Sequence, residues 1–155
     1  MDSFTVHFKF SQHFNFPVEK AYKWCTDYQP GDIRLQGTDG ERKVHWINED
    51  TVVLTDIYYA DTGRISRLKL VRLYPERFTW TNTRISPEGR YSQFLYEIVS
   101  EKGGSRLDFT GSQIVAGKKP SHVKLKALAA ETEREDSATW RNLAKAMAKD
   151  LSKNP

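Results

Sequence analysis

Apolar and polar residues alternate along much of the chain, which is the pattern of half-buried β-strands. Near the amino terminus, Phe4, Val6, Phe8 and Phe10 are separated by single polar residues. Side chains two apart on a strand share a face, so this spacing predicts a strand with one apolar face. The sequence therefore predicts that the chain begins with a half-buried strand.

The middle of the chain predicts six further strands with short connections. Short turns separate residues 43–48, 51–60, 65–73, 78–84, 91–100 and 106–115, and all but the first of these turns contain glycine or proline. Parallel neighbours need long crossover connections, so short turns favour an antiparallel meander. In the segment 65–73 both alternating faces carry apolar residues, and we expect a β-bulge to reconcile them.

Helical spacing is confined to two regions. Pro17 suits the first position of a short helix, and residues 32–36 suit a second short helical turn. Near the carboxyl terminus, an apolar stripe recurs every three or four residues, at Trp140, Leu143, Ala144, Met147 and Leu151. We expect this helix to begin at Asp136 or Ser137, to pack its Trp140 face on the sheet and to solvate its basic face.

Composition limits the classes of partner. The 24 Lys and Arg exceed the 20 Asp and Glu by four, and this excess lies in residues 118–155, on the solvated side of the predicted helix. Without aromatic residues interleaved on that surface, we expect no nucleic-acid partner. The single cysteine, Cys25, and the lack of an evident signal peptide or long apolar run predict a cytoplasmic protein with no stable membrane insertion.

The order of elements resembles a known superfamily. The first strand runs into the segment Phe16-Pro17-Val18-Glu19-Lys20-Ala21-Tyr22, the meander follows, and the last helix carries Trp140. These features resemble the START-like, or Bet v 1-like, superfamily, which includes polyketide cyclase-like proteins. The resemblance implies a single α+β domain over residues 1–155 with a helix-grip fold: a curved, antiparallel, seven-stranded sheet wraps a long C-terminal helix, and two short helices follow the first strand.

A curved sheet that grips one helix often leaves a ligand cavity between them. We expect the protein to bind or transport a small hydrophobic ligand, lipid-like or aromatic, in such a cavity. The residues expected to line it are Phe8, Phe10, Trp46, Leu54, Asp56, Tyr58, Trp80, Phe94, Tyr96 and Phe109. The structural alternative is an aromatic core that is completely filled.

Asp56 stands out because the alternation places it on the apolar face of its strand. A buried carboxylate needs a partner, and Arg67 or Lys69 on the next strand could supply one, which makes a structural ion pair the favoured interpretation. The alternative is a general base with a raised pKa.

Three functions therefore stay open. The first is ligand binding without catalysis. The resemblance implies two others, a polyketide cyclase or dehydratase that uses Asp56 with a tyrosine, and a co-chaperone-like module that binds a protein partner. The scattered histidines predict no metal site, no cofactor is expected, and no residue is assigned a catalytic role.

Overall fold

A computed structural model describes residues 2–153 and is built around one antiparallel sheet. The elements in chain order are β1 (Ser3–Phe14), α1 (Val18–Thr26), α2 (Asp32–Leu35), β2 (Gly40–Asn48), β3 (Thr51–Ala60), β4 (Gly63–Tyr74), a 3-10 turn (Pro75–Arg77), β5 (Thr79–Arg84), β6 (Gln93–Glu101), β7 (Gly104–Ala116) and α3 (His122–Lys153). The seven strands lie in the order β1-β7-β6-β5-β4-β3-β2. The predicted α+β helix-grip fold is confirmed.

Consecutive strands from β2 to β7 are neighbours in the sheet, and β1 pairs with β7 at the other edge. Every pairing is antiparallel. The predicted meander is therefore confirmed. The alternation assigns Leu54, Trp80 and Leu107 to the inner face, and all three are buried.

The predicted start of the C-terminal helix is wrong by more than three turns. Helix α3 begins at His122, and the Ser121 hydroxyl accepts a hydrogen bond of 3.3 Å from the backbone N–H of Lys124. Residues 122–135 are rich in good helix formers such as Ala, Leu, Lys and Glu but bury little apolar surface, since Val123 is 78% exposed. Apolar periodicity therefore misses them, and Asp136 lies inside the helix rather than at its cap.

The expected β-bulge in the fourth strand is also wrong. Strands β3 and β4 pair without interruption from Thr51 opposite Arg72 to Ala60 opposite Gly63. Val71 and Leu73 are buried on the inner face, whereas Leu68 and Leu70 are half-buried on the outer face. The apolar residues on the outer face of β4 are thus only partly covered, and they do not signal a bulge. A register shift occurs instead in β2, between Trp46 and Asn48.

Helix α3 packs into the concave face of the sheet through its C-terminal half. Leu143 and Met147 are buried, and Trp140 packs against the same core. A smaller cluster of rings, centred on Phe8, Phe94 and Phe109, lies beside it. The predicted docking face of α3 is therefore confirmed. None of the helices within residues 2–153 has both the length and the apolarity required to cross a membrane.

The turn between β6 and β7 offers a paired test of backbone packing. A Cβ at Gly104 would lie 2.1 Å from the backbone oxygen of Phe14, whereas a Cβ at Gly103 would meet no atom within 4 Å; both residues have positive φ, 148° and 83°. We expect Gly103→Ala to lower the free energy of unfolding by about 1 kcal/mol. Gly104→Ala should cost more than 2 kcal/mol in urea unfolding, because the backbone must move. Equal costs would contradict this account of the close approach.

Candidate functional site

A cavity of about 270 Å³ lies between the concave face of the sheet and helix α3. Its walls come from strands β2 to β7, from α3, and from the corner between α1 and α2. The lining residues are Trp24, Cys25, Tyr28, Asp32, Gln36, Thr38, Arg42, Leu54, Tyr58, Arg67, Lys69, Trp80, Asn82, Arg84, Phe94, Tyr96, Phe109, Asp136, Thr139, Trp140 and Leu143.

Aromatic rings form the apolar wall. Trp80 on β5 and Tyr96 on β6 are stacked face to face, with centroids 4.7 Å apart and planes within 3°. Trp140 on α3 lies 6.3 Å from the Trp80 ring and 5.8 Å from the Tyr96 ring. Phe109 meets the Tyr96 ring edge to face at 5.0 Å. These contacts fix the rings before any ligand arrives, so a flat apolar molecule would find a rigid surface.

Behind the cavity wall, Asp56 is fully buried and is the centre of a polar network. Its two carboxylate oxygens accept hydrogen bonds of 2.6 and 2.8 Å from Arg42. Lys69 donates to the same carboxylate at 2.7 Å, and the Tyr58 hydroxyl donates at 3.2 Å. Lys69 also donates to the Tyr58 oxygen at 3.1 Å. The network thus joins Arg42 on β2 and Lys69 on β4 to Asp56 and Tyr58 on β3.

The network keeps Asp56 ionised. Burial raises the pKa of this carboxyl, but the hydrogen bonds from Arg42 and the charge of Lys69 outweigh burial and lower the pKa to about 2. The alternative interpretation of Asp56, a general base with a raised pKa, does not agree with this lowered pKa. The favoured ion-pair interpretation is confirmed for Lys69. Arg67 is not the second partner; it lies directly opposite Asp56 in the β3–β4 pairing, but its guanidinium lies over the Tyr58 ring at 5.3 Å.

Asp136 lines the cavity itself, as Asp32 does, and its electrostatic character is opposite to that of Asp56. It extends from α3 toward the sheet, where burial raises its pKa, and the neighbouring Glu135 raises it further, to about 6. Positive charges on the facing strands, at Lys69, Arg84 and Arg67, lower the pKa only in part. Asp136 therefore changes protonation state close to neutral pH.

The corner between α1 and α2 closes another side of the cavity. The Trp24 indole donates a hydrogen bond of 3.0 Å to Asp150 on α3, and the Asn142 amide on α3 donates one of 3.2 Å to the backbone oxygen of Gln36. Both bonds fasten the corner to α3. Burial, followed by the charges of Asp27 and Asp32, raises the pKa of the Cys25 thiol, so this cysteine is an un-ionised wall residue.

The residues predicted to line the cavity divide into three groups. Leu54, Tyr58, Trp80, Phe94, Tyr96 and Phe109 lie on its surface. Asp56 lies behind Arg42 and Lys69, and Phe8 and Phe10 lie behind Phe109 in the smaller ring cluster. Trp46 lies directly opposite the buried Val52, so it is on the concave side of the sheet as expected, but it does not line the cavity. It is 41% exposed on the edge strand β2, with its ring 6.5 Å from that of Tyr28.

Sequence reasoning missed most of the polar lining. Asn82 and Arg84 lie on the same face of β5 as Trp80, so alternation alone could have found them. Arg42 precedes the predicted start of its strand, and Asp136 was expected at a helix end. Across residues 2–153, His, Cys, Asp and Glu side chains form no group of three that could hold a metal ion.

We predict that Asp56→Asn destabilises the fold strongly, because it leaves Arg42 and Lys69 buried without a counter-charge. The expected loss is about 3–5 kcal/mol in the free energy of unfolding at pH 7. Asp108→Asn is the matched control, since it breaks an ion pair with Arg106 whose two side chains are 40% and 41% exposed, and it should cost less than about 1 kcal/mol. Similar losses in chemical denaturation would contradict a structural role for the Asp56 network.

We predict that Asp136→Asn stabilises the protein at pH 7.5, by at most about 3 kcal/mol. A carboxyl whose pKa is raised on folding binds more protons in the folded state, so its ionisation opposes folding above pH 6. The difference in the free energy of unfolding between the variant and the wild type should shrink as pH falls from 6 to 4. In this range the wild-type carboxyl becomes protonated and is then uncharged, as the asparagine side chain is. Thermal unfolding across this range measures this difference, and a constant difference would contradict the raised pKa.

Comparisons with known proteins give structural matches only. No family model matches the chain, and no curated protein matches its sequence. The crystal structure of Ara h 8.0201 matches with a TM-score of 0.70 and 12% identity, over 94% of this chain and 99% of that one. SA2116, a protein of unknown function from Staphylococcus aureus, matches with a TM-score of 0.76 and 13% identity, over 97% and 98% of the two chains. The Zhui aromatase/cyclase from a Streptomyces species matches with a TM-score of 0.68 and 8% identity, over 97% and 96%.

At these identities the matches show the fold and nothing finer. They agree with the element order, the curved sheet and the long last helix. The chain therefore has the Bet v 1-like, START-like fold that polyketide cyclase-like proteins also have.

Proposed function

We propose that this protein binds a small molecule with a flat apolar body in the cavity between the sheet and α3. The observation that carries the proposal is the empty space of about 270 Å³ beside the rigid group of Trp80, Tyr96 and Trp140. Binding would be driven by burial of apolar surface, worth about 25 cal/mol per Å².

The volume of the cavity limits the size of the ligand that it can hold. Ligand pockets commonly span about 300–1,000 Å³, so this one is at the small end. One or two fused rings suit it better than a long acyl chain. Among the hydrophobic ligands considered, the cavity size therefore favours aromatic molecules over lipids. Ara h 8.0201 and the aromatase/cyclase share the fold, and they support a ligand-accommodating architecture by analogy alone.

An enzyme is the second candidate, and Asp136 is the observation that favours it. A carboxyl group with a pKa of about 6 in a cavity suits general acid–base catalysis near neutral pH. An enzyme of this kind would use Asp136 rather than Asp56. Asp136→Asn should then abolish turnover of a bound substrate while ligand binding persists, whereas a binding protein loses no such activity.

Filling the cavity tests the binding proposal. Thr139 on α3 is half-buried and lines the cavity, so Thr139→Trp should occupy the ligand space from the helix side. Glu133→Trp is the matched control, because Glu133 lies exposed on the same helix, away from the cavity. With the neutral probe naphthamide in isothermal titration calorimetry, we expect wild type and Glu133→Trp to bind and Thr139→Trp to lose at least tenfold in affinity.

Native mass spectrometry of the purified protein gives the natural ligand's mass if one is retained. Undiminished naphthamide binding by a folded Thr139→Trp variant would place the ligand elsewhere and contradict the proposal. Absence of binding to wild type at about 1 mM probe would contradict an aromatic ligand of this size.

A further inference from the structure

The polar half of the cavity contains two guanidinium groups that differ from the cations around Asp56. On the inner face of strands β2 to β5, Arg42 and Lys69 are paired with Asp56. Arg67 and Arg84 line the same cavity, but neither has a carboxylate oxygen within 4.0 Å among the side chains of residues 2–153. The cavity therefore holds two cations for which residues 2–153 supply no ion pair.

Arg84 is the more constrained of the two. It is only 7% exposed, and its Nε atom has no hydrogen-bond partner within the described residues. The side chain is held by packing: a Cβ at Gly89 would lie 2.7 Å from one terminal guanidinium nitrogen, and the Phe94 ring centroid lies 5.8 Å from the guanidinium carbon. Its position is fixed, but its hydrogen-bonding capacity is unused. Burying a guanidinium with an unpaired donor is costly unless another group accepts its hydrogen bond.

Arg67 reinforces the same charge. It is half-buried on β4, the strand next to β5, and its guanidinium lies over the Tyr58 ring. Burial, and then the charge of Arg67, lowers the pKa of Arg84, which shows that the two like charges repel each other. An anion between or beside them would relieve both the repulsion and the loss of hydration.

The carboxylates of residues 2–153 do not supply that anion. Glu88 is near enough to raise the pKa of Arg84, and Asp32 lines the cavity and accepts a hydrogen bond of 2.8 Å from the Gln29 backbone N–H, but neither carboxylate is within 4.0 Å of Arg67 or Arg84. Asp56 already accepts from Arg42, Lys69 and Tyr58. Asp136 faces Arg67, Arg84 and Lys69 across the cavity, but it makes no ion pair with them within 4.0 Å and becomes neutral below about pH 6. Space for a further anionic group therefore remains.

The inner face of β5 links this charge to the aromatic wall. Trp80, Asn82 and Arg84 follow one another on that face at intervals of two residues, about 7 Å each along a strand. The Oδ1 atom of Asn82 is buried without a hydrogen-bond partner in the described part of the chain, so it could accept from a ligand donor. The Trp80 ring, the Asn82 acceptor and the Arg84 cation thus follow one another along the inner face of β5.

We propose that Arg67 and Arg84 bind the carboxylate of a small aromatic acid whose ring lies against Trp80 and Tyr96. The inference rests on the proposed function, which supplies the ring site, and adds the anionic group. A planar carboxylate matches the planar guanidinium donors. The Arg84 Nε atom, which has no partner in the part of the chain that the structure describes, becomes one of these donors. The cavity would therefore select aromatic acids over neutral aromatic molecules of the same shape.

The test compares naphthoate with its neutral amide, naphthamide, by isothermal titration calorimetry at pH 5.5, where Asp136 is mostly protonated and naphthoate is still ionised. Wild type should bind naphthoate at least tenfold more tightly. That preference should fall to twofold or less in Arg67→Gln and in Arg84→Gln, while naphthamide affinity stays within about twofold of wild type. Arg64→Gln is the matched control, because Arg64 is an exposed arginine on the same strand as Arg67 and does not line the cavity; it should keep the full preference.

The outcomes separate the two proposals. Equal affinity of wild type for both probes would overturn the anion site and leave the aromatic site intact. Failure of both probes to bind would overturn the proposed function and this inference with it. A full preference for naphthoate in folded Arg67→Gln would overturn the role of the arginines, and this variant decides the matter even if Arg84→Gln fails to fold.

Discussion

The packing of Trp140 against Trp80 and Tyr96 is the contact on which the rest of the site depends. It brings α3 onto the concave face through large rings, while Leu143 and Met147 complete the docking. A helix held by bulky rings along one part of its length cannot fill the whole concavity of a curved sheet. The space that remains, beside the rings and under the N-terminal part of the docked segment, is the cavity.

The cations at the cavity fall into two groups, those paired with Asp56 and those without a carboxylate partner in the described residues. In the Asp56 network one carboxylate accepts hydrogen bonds from two cations, Arg42 and Lys69, and so joins β2, β3 and β4. Arg67 and Arg84 lie next to it without equivalent partners, on the same concave face. Buried cations of these two kinds have different consequences: a paired cation makes its partner carboxylate necessary for the fold, whereas an unpaired one lowers stability and raises affinity for an anion. This division separates structural residues from candidate binding residues.

The alternation along the chain predicted the strands well but failed at specific places. Helix α3 was placed too late because residues 122–135 show helix propensity without a buried stripe. Trp46 was assigned to the interior because alternation gives a face but not its cover, and β2 lies at the edge of the sheet. For Asp56, the sequence indicated the need for a partner and offered Lys69 correctly, but it could not find Arg42 on the strand at the opposite side.

The sequence by itself determined the order and type of the elements, the antiparallel meander and the apolar face of α3, because these follow from local periodicity and connection length. The tertiary structure alone decided how polar residues from different elements meet in the cavity. Arg42, Arg67, Arg84 and Asp136 are far apart in the chain, and their charges acquire meaning only through strand register, helix position and desolvation. Pairing, pKa and free hydrogen-bonding capacity are properties of distances between elements, and no local pattern encodes them.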